Sequence, residues 1–297
     1  MLSPTASIKT DNIAQEDNKT VIKIDKTLLC KYISDIEQSL KDGTWATKNF
    51  SIIDKELLPP MVKLANEKKE GLNLKYLTSP DKLYDEIFKI KNNDIKSSRY
   101  IINVGEKDTH FGVIDTRLIE GKISILLFEP ASLTNSMSSS ILAFRTKLAI
   151  EKCGLKNIIF SIIEMDIQRS KYECAIFSLS LGKKLAKESD SINIIHKLNI
   201  ENKLDEEMIN KKADPILPPE LFKHTQGVNR IKDYISVKPE IGNKIINKKG
   251  QNIVNRQKDN LEKINERFIS KSIYNKRLDE YKKLITDNFE ANQLPHE

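Results

Sequence analysis

Apolar residues recur along this chain in two different periods, and the change from one to the other divides it. Leu29, Ile33, Ile36 and Leu40 share one helical face, and the run meets Gly43, a residue type that accepts the left-handed conformation of a helix C-cap. A second helical pattern carries Leu58, Met61, Val62 and Ala65, with Asp54 placed to cap its start. Ser79-Pro80 opens a third through Leu83, Ile87 and Ile90, since proline is tolerated in a first helical turn. At Arg99 the pattern shortens. Arg99 to Gly105, Thr109 to Thr116 and Lys122 to Glu129 are brief runs rich in Ile, Val, Phe and Leu, the last two joined by a Glu120-Gly121 turn, and they predict adjacent strands of a buried sheet. A helix from about Ser138 to Lys152, ended by Gly154, leads to a strand from Asn157 to Glu164. Cys174 then opens a helix bearing Ile176, Phe177, Leu179, Leu181 and Leu185. Beyond Lys187 the segments are polar and mainly helical, interrupted by Pro215, Pro218 and Pro219, with a last long helix from about Lys271 to Ile285.

The predicted class is therefore α+β: a sheet drawn mostly from Arg99 to Glu164, with helices before and after it in sequence. A chain of 297 residues with 39% hydrophobic content can bury one good core, here read as one core with an accessory module. Residues 1–25, rich in Ser, Thr, Asp, Asn and Lys without periodicity, read as a disordered leader. No apolar run approaches the ~18 residues of a membrane-spanning helix and no secretory signal pattern opens the chain, so a soluble polypeptide is expected. Cys30, Cys153 and Cys174 form no C-x-x-C pair and are too few for a disulfide framework, which fits a reducing compartment and argues against a structural zinc site.

The formal charge, +7 from 49 basic and 42 acidic residues, changes the picture only through its placement. Residues 223–283 concentrate Lys and Arg, enough to gather a polyanion if several converge. A solvated lysine-rich surface accounts for the same composition. No helix-turn-helix or aromatic-basic platform supports nucleic-acid binding.

A thiol nucleophile requires a base, a group that orients the base, and donors for the oxyanion. His110 lies in the strand-like run Thr109-His110-Phe111-Gly112-Val113-Ile114-Asp115, and Glu129 ends the neighbouring strand, so a hairpin pairing can bring carboxylate to imidazole. Cys174 falls at a predicted helix N-terminus, where free N–H groups and the helix dipole favour thiolate. Gln168, just upstream, is placed to donate its amide beside the Cys174 N–H. By residue type alone a lone cysteine in such a setting is more often a small buried hydrophobe than a nucleophile.

Four blocks carry a resemblance that bears on this choice: Asp108 to Asp115, Leu127 to Ala131, Glu164 to Ser170, and Glu173 to Ser178. They resemble, in order, the active-site blocks of the YopJ family of bacterial effector acetyltransferases, and the likeness continues through Phe222 to Gly227 and Ile253 to Arg256, covering roughly residues 30–285. The resemblance implies a fold similar to the Ulp1 and adenovirus-protease group of cysteine proteases, with a central mixed sheet. A catalytic core over 96–200 would be joined to a helical regulatory module built from residues 26–95 and 201–297. It implies a His110–Glu129–Cys174 triad with Gln168 at the oxyanion, and transfer of acetyl from acetyl-CoA through a cysteine acetyl-enzyme to Ser, Thr or Lys of a protein. The same constellation would serve a cysteine protease acting on ubiquitin-like conjugates, which is the alternative reading.

The resemblance further implies activation by inositol hexakisphosphate, secretion by a type III system into the host cytoplasm, and MAP kinase kinases or related immune-signalling kinases as acceptors, so that MAPK and NF-kappaB signalling is suppressed. Candidate polyanion ligands are Arg99, Lys223, His224, Lys248, Lys249, Arg256, Lys276 and Arg277. Asn135, Ser136 and Lys147, which follow Glu129, are candidates for meeting coenzyme A. Ala175 stands where relatives carry Gly, which predicts a tighter wall beside the acyl group. His196, beside Ile194 and Ile195, reads as a satisfied core histidine, and Trp45 and Phe50 as anchors of the N-terminal helices.

Overall fold

The computed structural model describes residues 25–92, 95–208 and 210–289, so the predicted leader, Asp25 apart, lies outside the described residues. Asp25 caps α1 (Lys26–Asp42) by accepting from the Leu28 N–H at 3.1 Å, and Gly43 ends it at φ 75°. The second helix, α2 (Ser51–Lys68), begins earlier than the apolar pattern suggests, because Asn49 Oδ1 accepts from the Ser51 N–H at 3.0 Å. Asp54 is thus not its cap. It sits within the first turn, fully buried, and accepts hydrogen bonds from Arg277 and Tyr281.

The chain then forms β1 (Leu74–Leu77), α3 (Leu83–Asn92), β2 (Ser97–Asn103), β3 (Phe111–Ile119), β4 (Lys122–Glu129), α4 (Met137–Glu151), β5 (Ile158–Glu164), α5 (Cys174–Lys187), α6 (Ser189–Ile200) and β6 (Glu207–Met208). There follow α7 (Asn210–Ala213), α8 (Val228–Val237), α9 (Ile253–Lys258), the hairpin β7 (Leu261–Ile264) and β8 (Arg267–Ser270), and α10 (Ser272–Phe289). The main sheet runs in the order β1-β2-β3-β4-β5-β6, antiparallel at β2/β3 and β3/β4 and parallel elsewhere. It is a mixed sheet in an α+β fold. The strands β1 and β6 and the β7–β8 hairpin were not foreseen: each is four residues or fewer, too short for a period-two pattern to emerge.

Alternation along the central strands sends side chains to two cores. Ile101, Phe111, Val113, Leu126, Phe128 and Ile163 join residues of α2, α5, α6 and α10 on one face. Tyr100, Ile102, Ile114, Ile125, Leu127 and Ile162 join α3 and α4 on the other. Burying each such side chain contributes ~1.5–3 kcal/mol, which is what clamps helices to both faces. Gly112 has a packing reason: a Cβ there would come within 3.1 Å of both Leu127 and Leu142, so glycine lets α4 approach the sheet.

One polar network interrupts the first face. Asp115 holds Arg99 (Nε to Oδ2, 2.8 Å), Arg117 (3.0 Å) and His196 (2.9 Å), and His196 Nδ1 bonds Ser124 Oγ at 2.7 Å. His196 is the satisfied core histidine expected. Trp45 and Phe50 are buried as expected, Trp45 donating its indole N–H to Glu262 at 2.6 Å.

Candidate functional site

His110 stands one residue before β3 rather than within it, and Glu129 is the last residue of β4; the antiparallel pairing brings these two strand ends side by side. Alternation points both away from Phe111 and Phe128, toward the α4 side, while Cys174 arrives from α5 on the opposite face. The three meet at the edge where the two cores join. Cys174 Sγ lies 3.4 Å from His110 Nδ1, and His110 Nε2 lies 3.1 Å from Glu129 Oε2. The other oxygen of Glu129 accepts from the Ala131 N–H at 2.9 Å, fixing the carboxylate, and Ser139 Oγ of α4 approaches His110 Nε2 at 3.3 Å. Gln168 donates from Nε2 to Cys174 Sγ at 3.0 Å and to the Ser170 carbonyl at 2.7 Å.

Burial alone would lower the His110 pKa, but the Glu129 charge and the hydrogen bond with Cys174 outweigh it, and the imidazole is pushed up to about 11. The ring is therefore held as imidazolium beside the sulfur. No side chain caps α5: Glu173, its N-cap residue, makes no capping bond, so the first-turn N–H groups remain directed at the region of Cys174. Glu173 is instead turned to Arg277 of α10 (3.4 Å), whose guanidinium also bonds Asp54 of α2 (2.8 Å) and the Tyr172 carbonyl (3.1 Å).

A cleft of about 610 Å³ opens over Cys174, His110 and Gln168, walled by Ser132, Asn135, Ser136, Asp166, Arg169 and Lys171 among others. Asn135 and Ser136 thus reach the cleft, although Ser136 is also the N-cap of α4, accepting from the Ser139 N–H. Lys147 does not. It lies farther along α4, ion-paired with Glu206, and takes no part in the cleft wall. Ala175 is buried in the core and does not line that cleft.

The basic residues divide. Arg99 and Arg277 are 1% and 0% exposed and are answered internally by Asp115 and by Asp54 with Glu173, so neither belongs to an accessible polyanion site. Lys248 and Lys249 occupy an exposed turn before α9. Lys223, His224, Arg256 and Lys276 do converge, and they are joined by Lys183 and Lys184 from α5, which lie outside the expected set. Those two lysines break an apolar helical run, a signal easily taken for an exposed face. Burial, then the nearby Lys184, Arg256 and Lys276 charges, push Lys223 down to about 8. Burial and the same cations hold His224 well below the usual range; its Nδ1 bonds Ser272 Oγ at 2.8 Å, as does Arg256 Nη2 at 3.1 Å. Glu280 answers part of this charge, bonding Lys183 at 2.6 Å, Lys283 at 3.1 Å and also Lys276.

Among the described residues, no helix is long and apolar enough to cross a membrane, and no group of three or more His, Cys, Asp or Glu could hold a metal ion. The YopJ serine/threonine acetyltransferase family model matches residues 29–283. The serine/threonine-protein acetyltransferase YopJ of Yersinia pestis is 41% identical over 289 residues, 96% of this chain and 99% of its own, and that of Yersinia pseudotuberculosis matches equally. The structure of AvrA delL154 with IP6 and CoA superposes with a TM-score of 0.84 at 36% identity, covering 89% of this chain and 99% of AvrA. HopZ1a with IP6 and CoA shares the fold, with a TM-score of 0.66 at 18% identity over 89% of this chain and 100% of HopZ1a. A cysteine seated against an imidazole and a carboxylate on this sheet, within a matched length of nearly the whole chain, identifies the protein as a member of the YopJ family of serine/threonine acetyltransferases.

Proposed function

We propose that this chain transfers acetyl from acetyl-CoA to hydroxyl groups of a protein through Cys174, with His110 as the proton carrier, Glu129 as its orienting carboxylate and Gln168 as an oxyanion donor. The observation that carries the reading is the unbroken contact series Gln168–Cys174–His110–Glu129, with every distance between 3.0 and 3.4 Å. Sγ, its proton held on His110, attacks the thioester carbonyl carbon. Negative charge collects on the carbonyl oxygen, within reach of the Gln168 amide and the free N–H groups opening α5. As the C–S bond of the thioester breaks, His110 gives its proton to the departing coenzyme A sulfur, and the acetyl group remains on Cys174. An incoming Ser or Thr hydroxyl then loses its proton to His110, its oxygen takes the acetyl carbon, and Sγ leaves as thiolate. A lysine amine fits the same second step, its nitrogen losing a proton to His110.

The fit for coenzyme A rests on the polar cleft wall, where Asn135, Ser136, Arg169 and Lys171 offer donors and positive charge to its phosphates. The fit for inositol hexakisphosphate rests on a stronger imbalance. Lys184, Lys223, Arg256 and Lys276 crowd around a buried His224, a cost that a clustered set of phosphates would remove. Through Lys183 and Lys184 such a ligand would touch the same helix that presents Cys174 at its other end. As a family member acting in a host cell after type III secretion, the enzyme would find its acceptors among MAP kinase kinases or related kinases, where an acetylated activation-loop hydroxyl no longer accepts phosphate.

Labelled acetyl-CoA with inositol hexakisphosphate and a candidate kinase tests the whole reading. Label is expected transiently on Cys174 and then on acceptor Ser or Thr, and Cys174→Ala abolishes both; undiminished acceptor labelling by Cys174→Ala overturns it.

A further inference from the structure

Gln226 belongs to none of the groups just described, yet it is fully buried at the back of the candidate oxyanion loop. Its side-chain Oε1 accepts from the backbone N–H of Arg169 at 2.6 Å, from that of Ser170 at 3.0 Å and from the Ser170 hydroxyl at 3.0 Å. Its Nε2 faces the same hydroxyl oxygen at 2.8 Å, and its backbone N–H donates to the Ile167 carbonyl at 2.9 Å. The residues it grips, 167, 169 and 170, bracket Gln168 on both sides. The Ser170 carbonyl is in turn the second acceptor of the Gln168 amide.

The loop carrying Gln168 has no secondary structure of its own. Nearest to Gln168, the Ile167 and Gln168 N–H groups also donate to the Pro130 carbonyl, next to Glu129, at 2.8 and 3.0 Å, while Arg230 Nε holds the Met165 carbonyl at the start of the loop at 2.9 Å. Pro130 thus fixes one side of the loop and Gln226 the other. Gln226 is itself fixed, since its carbonyl accepts from the Ser270 N–H at 3.1 Å. Gly227 beside it admits the Arg169 guanidinium where a Cβ would lie 3.2 Å from Nε.

We infer that Gln226 is a positioning residue for acetyl transfer, holding residues 167–170 so that the Gln168 amide meets the oxyanion. A single amide oxygen that satisfies two adjacent backbone N–H groups of a loop sets that loop's direction, and a donor displaced by about 1 Å loses most of its effect on a transition state. The inference rests on the proposed role of Gln168.

The test compares the full-length wild type, Gln168→Ala, Gln226→Leu and the double variant, each with acetyl-CoA and inositol hexakisphosphate. Rapid-quench mass spectrometry reads acetyl-enzyme formation, and iodoacetamide reads Cys174 alkylation, which needs thiolate but no oxyanion donor. Each single variant is expected to slow acetyl-enzyme formation by about tenfold or more, the double variant no further than Gln168→Ala, with alkylation held within about threefold throughout. Gln226→Asn, which keeps the amide but withdraws it by one methylene, reads the same quantity in a more conservative background and is expected to fall between wild type and Gln226→Leu. The inference is overturned if Gln226→Leu and Gln226→Asn stay within about twofold of wild type while Gln168→Ala is slow, if the two losses multiply, or if alkylation and acetylation fall together. Absence of acetyl-enzyme in the wild type would instead sink the proposed function.

Discussion

The cleft around Cys174 and the basic pocket around His224 lie at the two ends of α5, and they handle charge in opposite ways. In the cleft each member of the catalytic series has its complement in place: Glu129 for His110, His110 for Cys174, the Ala131 N–H for the second Glu129 oxygen. In the pocket, cations from α5, the Lys223–His224 loop, α9 and α10 are pressed together with Glu280 answering only some of them; burial first and neighbouring cations second push Lys223 down to about 8, and burial pushes Lys183 down to about 8 despite its ion pair with Glu280. The difference separates a site whose groups are complemented in place from one whose clustered cations a ligand of opposite sign would complement. Preorganised dipoles lower a barrier; unanswered charge raises the energy of the empty state and so makes a ligand stabilising.

The largest effect expected on this comparison comes from removing the cleft's complement. Glu129→Gln keeps the shape but takes away the charge that holds His110 at about 11, so acetyl transfer should fall by roughly 10³–10⁴-fold. The imidazole should then titrate well below that value, toward the range that burial alone dictates, visible in the pH dependence of Cys174 alkylation. An unchanged profile would show that the carboxylate does not tune the base.

Next comes the contact of α10 with α2 and the start of α5. Arg277→Met leaves Asp54 and Glu173 buried without their shared cation, and urea unfolding should show a loss of about 3–5 kcal/mol. A loss below about 1 kcal/mol would mean that the cluster is dispensable.

The smallest effect separates the two regions most cleanly. Lys223→Gln should weaken inositol hexakisphosphate binding by about tenfold, worth ~1.4 kcal/mol, yet leave the ligand-free protein as stable as wild type or slightly more so. The pH dependence follows from sign. Lys223 titrates at about 8 in the folded chain against 10.5 ordinarily, so between those values the unfolded state binds more protons and folding stability rises with pH. That rise should shrink in Lys223→Gln and in the ligand-bound wild type. A substitution that destabilises the ligand-free protein would refute the repulsion argument.

Much of this was legible in the chain because local chemistry controls it. Gly43 ends α1, the Glu120-Gly121 turn with φ 49° and 75° makes the β3–β4 hairpin, and alternation along those strands sorts the two cores. With the hairpin in hand, the approach of His110 and Glu129 follows from pairing register, and Cys174 at a helix start follows from the apolar run after it. The family blocks then gave these residues a shared chemistry.

What the sequence by itself determined is the set of elements, the α+β class and the identity of the residues that meet in the cleft, since each depends on neighbours within a strand pair or a helical turn. The tertiary structure alone decided which charges are spent inside and which remain to attract a ligand. Arg99, Arg277 and Lys223 are indistinguishable by composition. Their fates differ because Asp115, Asp54 and Glu173 are carried to the first two by distant parts of the chain, whereas Lys223 is met by further cations. Gln226, within the Phe222 to Gly227 block, has no role legible in the chain for the same reason. A lone amide declares nothing until folding sets it behind a loop 56 residues away in sequence.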